Sequence, residues 1–238
     1  MSVLVIQLAG PLQAWGASAR FARRTTESAP TKSGVIGLLA AALGRDRSAD
    51  LSDLAALRFG VRIDQPGRVI RDYQTAHHFE TGKSVPVSER FYLADAVFVA
   101  AVEGDTDLID RLHRAVREPV FLPYLGRRSC PPARPVDLAA HRDLALAQAL
   151  KQEPWRAARW HQRRRREPEV ELGTILEATA DDGPVDSLRD QPLSFDPNHR
   201  RYALRGILFG RVTVPNPAAR RPPSSPPAHD PTSLLEGV

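Results

Sequence analysis

FGVRIDQPGRVIRDYQTAHHFETGKSVPVSERFYLADAVFVAAV, residues 59–102, is the stretch on which the fold turns. At its start Phe59, Val61 and Ile63 alternate with Gly60 and Arg62, the period of a half-buried strand. At its end Ala96 to Val102 is a second, continuously apolar strand. The chain between them breaks at Pro66-Gly67 and reads as a long polar hairpin. One arm is Val69 to His77, the tip lies near Thr81-Gly82-Lys83, and the return arm is Val85 to Leu93. Alternation sets Val69, Arg71, Tyr73, Thr75 and His77 on one face of the outgoing arm. That face is too polar for a core, so the arm is expected to project and to touch something.

Upstream, Val3 to Leu8 reads as a strand ending at Gly10-Pro11, with Gln13, Trp15 and Gly16 in the loop that follows. Gly34 to Leu43 is a helix closed by Gly44, with Thr31 or Ser33 as N-cap. A short second helix carries Leu51, Leu54 and Leu57. Downstream, Leu108, Ile109, Leu112, Ala115 and Val116 mark an amphipathic helix that Pro119 ends. Val120 to Leu122 reads as a short strand. Residues 1–135 thus give the order β-α-β-hairpin-β-α-β, an α+β, ferredoxin-like or RNA-recognition-motif domain with an inserted hairpin over about 68–94.

Past residue 135 the pattern weakens. His141 to Leu150 reads as helix, and Val170 to Thr179 and Leu204 to Val214 read as strands. Together they form a smaller β-rich part over 136–214. The Pro-rich residues 215–238 are expected to be a flexible tail.

Lys and Arg number 33 against 28 acids, and the excess is clustered. Arg20, Arg23 and Arg24 sit together without an acid, as do Arg127, Arg128 and Arg134 over 123–135. A third run, Arg163 to Arg166, reads as a solvated loop or helix end. Clustered Arg beside aromatics suits phosphate and base contacts. No run is long and apolar enough to span a bilayer, and the N-terminus lacks the form of a signal peptide. One cysteine, Cys130, excludes an internal disulfide and a Cys-rich zinc site. A cytoplasmic protein without metal or cofactor is expected, with no membrane contact.

Three places could carry chemistry. Lys32 and Ser33 open the first helix, whose free N–H groups favour an anion, yet the glycine spacing of a phosphate-binding loop is missing. Tyr124, Arg127 and Arg128 lie on a loop between prolines, able to stack on a base and pair with phosphates together. His77-His78, with Tyr73, Lys83 and Glu89 on the arm, could supply the base, acid and cation of a ribonuclease. The simpler reading of that arm is an RNA-contacting hairpin.

Four phrases, LAGPLQAWG (8–16), PTKSGVIGLLAAALG (30–44), RDYQTAHH (71–78) and YLGRRSCPP (124–132), resemble the CasD subunits of type I-E Cascade, the CRISPR RNA-guided surveillance complex. These are members of the Cas-five family. The match covers residues 1–135 and continues weakly through 192–214. The resemblance implies a non-catalytic subunit that binds and caps the 5′ handle of crRNA in antiviral defence. Its thumb-like arm would press on the guide, with the adjacent backbone subunit and the large subunit beside it and target DNA met only through the complex. By position it implies Arg90, Tyr124 and Arg127 as handle contacts, with Lys32, Ser33 and Gln13 as further ones; Arg128, Tyr73 and His77 join them from the loop and the arm. Relatives of another subtype cut the repeat RNA themselves, so a metal-independent, repeat-specific endoribonuclease is the alternative. The hairpin tip here is short, and the resemblance supplies no role for the Pro-rich tail.

Overall fold

A strand apolar along almost its whole length must be covered on both faces, and Ser2–Ala9 and Val97–Gly104 are buried throughout. The computed structural model describes residues 1–17 and 23–219 and puts these two strands side by side inside a seven-stranded sheet. Arg20 and the tail from residue 220 onward lie outside the described residues.

In chain order the elements are β1 (Ser2–Ala9), β2 (Leu12–Gln13), β3 (Arg23–Arg24), α1 (Lys32–Ala42), α2 (Ser52–Ala55), β4 (Arg58–Gln65), β5 (Arg68–Gln74), β6 (Ser88–Ala94), β7 (Val97–Gly104) and α3 (Thr106–Arg117). There follow β8 (Asp137–Arg142), α4 (Leu146–Gln152), α5 (Arg159–Arg164), β9 (Glu169–Glu177), β10 (Asp186–Ser194) and β11 (Arg201–Pro215). The large sheet runs β10-β11-β9-β4-β7-β1-β8, and every neighbouring pair in it is antiparallel. A smaller sheet holds β2, β6 and β3, with β5 paired to β6. The chain is therefore a mixed α+β fold dominated by antiparallel sheet.

Helices cover both faces. The apolar stripes of α1 and α3 close over Leu4, Ile6, Leu8, Phe59, Val61 and Phe98. Thr31 caps α1 by accepting the Gly34 N–H, and Asp105 caps α3 by accepting that of Leu108, each satisfying one otherwise orphaned donor. On the opposite face α4 packs against Val3, Val5, Val99 and Ala101. Trp155 and Ala157 extend that second layer over Val170, Leu172 and Val214.

The second face explains one departure from expectation. Arg62 was expected on a solvated face of its strand, yet its side chain is fully buried. Its five N–H donors all find acceptors: the Asp64 carboxylate at 2.7 and 2.9 Å and the carbonyls of Leu150, Glu153 and Pro154. Asp64 also accepts the Arg156 N–H at 2.6 Å. Burial pushes the Asp64 carboxyl above its ordinary value, while Arg62 pulls it down. A buried charge is tolerable when every lone pair and proton is used, and this one ties β4 to the end of α4.

Two further expectations fail for physical reasons. Residues 120–122 are not a strand, because the Val120 and Phe121 N–H groups donate to Ala42 and Ala41 at the carbonyl end of α1. They satisfy a helix terminus instead of a sheet edge. The strand beside β1 is β8, whose last two residues, His141 and Arg142, read as the start of a helix; it pairs from Ser2↔Arg142 to Ile6↔Asp137. The available edge of β1 overrides local helix propensity there. The later part of that helix is α4, as expected. Strand β10 was not anticipated, since its only buried side chains are Asp190 and Pro192.

Asp190 is the joint between the C-terminal strands and the rest. It is wholly buried, accepts the backbone N–H of Lys32 at 2.7 Å, and takes both forks of Arg205 at 2.9 and 2.8 Å. Asp190→Ala leaves Arg205 and a helix terminus buried without their acceptor and should cost about 3–5 kcal/mol. Arg142→Ala removes the exposed pair with Asp110 and should cost under about 1 kcal/mol. Urea unfolding of the two variants measures the contrast.

Candidate nucleic-acid interface

The loop after α3 is a built turn. Leu125 and Cys130 are both fully buried and act as its two anchors. The Leu125 N–H donates to the Cys130 carbonyl at 2.7 Å, and the Cys130 N–H to that of Arg127 at 2.8 Å. Gly126 sits at φ +83°, and a Cβ there would collide with the Ala14 carbonyl. Between the anchors Arg127, Arg128 and Ser129 project, with Tyr124 half-buried before them. Burial pushes the Cys130 thiol above its ordinary pKa, so the sulfur is an anchor and not a nucleophile.

This loop walls an open groove of about 1560 Å³, larger than the roughly 300–1000 Å³ of a small-molecule pocket. Its floor is the small-residue face of α1, including Gly34, Gly37 and Ala41. Pro123, Tyr124, Arg127 and Arg128 form one side, with Arg24 and Thr25 beside them. Arg189, Phe195, Arg200, Arg201 and Tyr202 form the other, and Arg45 and Arg47 stand beyond the helix end. Eight arginines and a single acid, Asp46, line it. Arg45 is held bidentately by Asp53; among the described residues no ion pair holds the other seven. Such a groove attracts a polyanion, and its aromatic rims suit unstacked bases.

Arg127 is fixed from behind. Its Nη2 donates to the Arg24 and Thr25 carbonyls at 2.8 and 3.4 Å, and its guanidinium lies 4.6 Å from the Tyr92 ring centre. Nη1 is left with no protein partner. Arg90 pairs in register with Arg24 and occupies the same face of β6 as Tyr92, so it stands beside Arg127 without lining the groove. Its Nε likewise has no protein partner. The expected contacts Tyr124, Arg127 and Arg128 thus lie on one loop, with Arg90 on the strand that carries Tyr92.

Tyr73 and His77 lie elsewhere, on the β5–β6 hairpin. Tyr73 is exposed under the Arg71 guanidinium at 4.9 Å. His77 is exposed, its Nδ1 3.3 Å from both the Gly82 carbonyl and the Ser84 hydroxyl. Phe79 at the tip is fully exposed. Among the described residues no group of His, Cys, Asp and Glu could hold a metal, and no helix is long and apolar enough to cross a membrane.

Three expected contacts are engaged within the protein. Gln13 is buried and donates to the Leu8 and Ala96 carbonyls, while its oxygen accepts from the Trp15 indole. Lys32 is buried against Glu177 at 2.9 Å; burial lowers the ammonium pKa and Glu177 raises it. The anion expected at the start of α1 is the chain's own Asp190. Ser33 borders the groove floor but is almost covered, its hydroxyl facing Thr31. The reading from sequence missed Arg189, Arg200, Arg201 and Tyr202, which only the pairing of β10 with β11 brings opposite the loop. The one signal was their charge, scattered over a stretch without clear periodicity.

Comparison with known proteins completes the description. A family described as CRISPR-associated protein (Cas_Cas5) matches residues 3–207. The CRISPR system Cascade subunit CasD of Escherichia coli (strain K12) is 40% identical over 158 residues, 58% of this chain and 70% of that one. A structure described as a crystal structure of Cas protein is similar with TM-score 0.68 and 38% identity, over 93% of this chain and 100% of the other. A chain of a CRISPR RNA-guided surveillance complex is similar with TM-score 0.72 and 31% identity, over 93% and 94%.

The loop geometry makes a prediction of its own. Gly126→Ala forces a side chain into the left-handed region, a cost of about 1–3 kcal/mol, and against Ala14. The melting temperature should fall, and the Cys130 thiol, inert in the wild type, should react with a water-soluble disulfide reagent. An unreactive thiol with an unchanged melt would show that the turn tolerates the side chain.

Proposed function

Because the chain belongs to the Cas_Cas5 family of CRISPR-associated proteins, we propose that it is a Cascade subunit that binds and caps the 5′ handle of crRNA and does not cut it. The observation that carries this reading is the arginine-lined groove, in which seven guanidiniums without an ion pair among the described residues accompany a single carboxylate. A single strand laid along it meets Tyr124 and Arg127 on one side and Arg200 and Arg201 on the other. Arg128 and Arg90 extend the charge past the loop.

The elements β1, α1, β4, β7, α3 and β8, with strands ordered β4-β7-β1-β8 in space, support a ferredoxin-like core. In this reading the core domain is followed by a smaller part made of β9 to β11, and the hairpin of β5 and β6 serves as a thumb. Tyr73, His77 and Phe79 on the thumb then meet the guide where handle passes into spacer, against the adjacent backbone subunit. The large subunit docks nearby, and target DNA is reached only through the complex.

Tyr124→Ala and Arg127→Ala should each weaken handle RNA binding about tenfold or more, since a base-stacking ring contributes roughly 1–3 kcal/mol and a charged hydrogen bond a similar amount. Arg163→Ala should change it much less. Affinities by fluorescence anisotropy, with thermal melts as folding control, test this. If Arg163→Ala is as damaging as Arg127→Ala, the site is misplaced. Affinity should also fall with salt, each neutralised phosphate adding about 0.7 to the slope of log K against log salt. Repeat RNA incubated with the protein should stay intact; a site-specific product that disappears in His77→Ala would establish the nuclease instead.

A further inference from the structure

The groove does not use the richest run of positive charge in the chain. Arg159, Arg163, Arg164, Arg165 and Arg166 are exposed on α5 and the residues that follow it. They lie across the sheet from the groove. Gln162 of α5 donates to the Trp155 carbonyl, and Trp155 packs with Val170 and Leu172 on the face that also buries Arg62. The groove floor, α1, covers the other face.

Among the described residues none of these five arginines has an ion pair or donates a side-chain hydrogen bond to the protein. Glu167 and Glu169 follow the run directly and make no ion pair with it among the described residues, and two other acids are committed elsewhere. Glu153 is held by Arg156 and Glu171 by Arg211, each at 2.6 Å. Cations at a helix C-terminus gain from the dipole, but one or two satisfy that need. The helix ends at Arg164 and the chain is extended at Arg165, and among the described residues none of these side chains bonds the last carbonyls. Burial and the nearby Arg165 and Arg164 together hold the His161 imidazole below its ordinary pKa, a sign of locally positive potential.

Trp160 decides what kind of polyanion fits. Its indole is half exposed, yet Arg164 lies 5.0 Å over the ring and His161 meets it edge-on at 5.5 Å. A guanidinium already occupies a face on which a base would stack. The surface therefore offers charge and planar forks for phosphates but little stacking, whereas the groove offers both. A duplex shows such a partner its phosphates and hides its bases, with one negative charge per roughly 1.7 Å of axis.

We propose that α5 and residues 165–166 form a second nucleic-acid surface, which binds the phosphate backbone of a duplex without reading its sequence. It is independent of the groove and of the handle reading. The test measures anisotropy of a DNA duplex and an RNA duplex of one sequence with the full chain, and compares wild type with Arg163→Glu/Arg164→Glu. Arg111→Glu/Arg114→Glu on α3 controls for net charge, and handle RNA is titrated in parallel. The α5 variant should lose duplex affinity at least tenfold, with the salt slope reduced by about two phosphates at 0.9 each. Its handle affinity should stay within about twofold of wild type, and the α3 control should keep its duplex affinity. Loss in the DNA arm alone names DNA as the partner, and loss in both names any duplex. Unchanged duplex binding, an equal loss in the α3 control, or wild-type binding to poly-glutamate as tight as to duplex would overturn the proposal. The last result would assign the patch to an acidic protein.

Discussion

One carboxylate, that of Asp190, sets the relation between the two sides of the groove. It is out of water, and a carboxylate there is tolerable only with several strong donors. The donors come from opposite directions: the first turn of α1 and the guanidinium of Arg205. Floor and far wall are consequently held by one ion. Lys32 and Glu177 repeat the arrangement a few residues away, with Glu177 also accepting the Phe59 N–H at 2.9 Å. Phe195 closes the joint by packing over Gly37. The arginines at 189, 200 and 201 owe their position to this joint and not to anything local in their own segment.

Arg62 plays the matching part on the other face. By taking three carbonyls at the end of α4 and the Asp64 carboxylate, it turns a strand that could have had a wet side into one covered on both. Helices and turns are thus anchored to both faces of the sheet by buried, hydrogen-bonded charge. Both charged networks exceed what helix and strand propensity supply, and both sit where the C-terminal third meets the earlier chain.

Legibility followed from where the stabilising partner lies. The cap at Thr31, the apolar stripe from Leu108 to Val116, the hairpin and the loop of Tyr124, Arg127 and Arg128 are all written in neighbouring residues, and each was readable. What failed depends on distant partners. Lys32 and Gln13 look like surface polar residues until Glu177, Leu8 and Ala96 are seen to engage them. Val120 to Leu122 carry strand-forming residues, but the nearest unsatisfied acceptors are helix carbonyls. Asp190 in a polar stretch gives no hint of burial, so β10 and the far wall of the groove could not be foreseen. The family resemblance rested on the first 135 residues, and five of the eight arginines that line the groove lie in the same span.

The crowding of guanidiniums along the groove has a cost for the chain on its own. Seven like charges held in fixed positions over α1 repel one another, and the unfolded chain, free to spread them, is relieved of that repulsion. A strand of RNA or a dense anion such as sulfate relieves it in the folded state and so shifts the folding equilibrium by mass action. Folding and occupancy are therefore linked. Under the proposed function the occupied protein is the more stable one, which favours assembly on the guide over a standing pool of empty subunits.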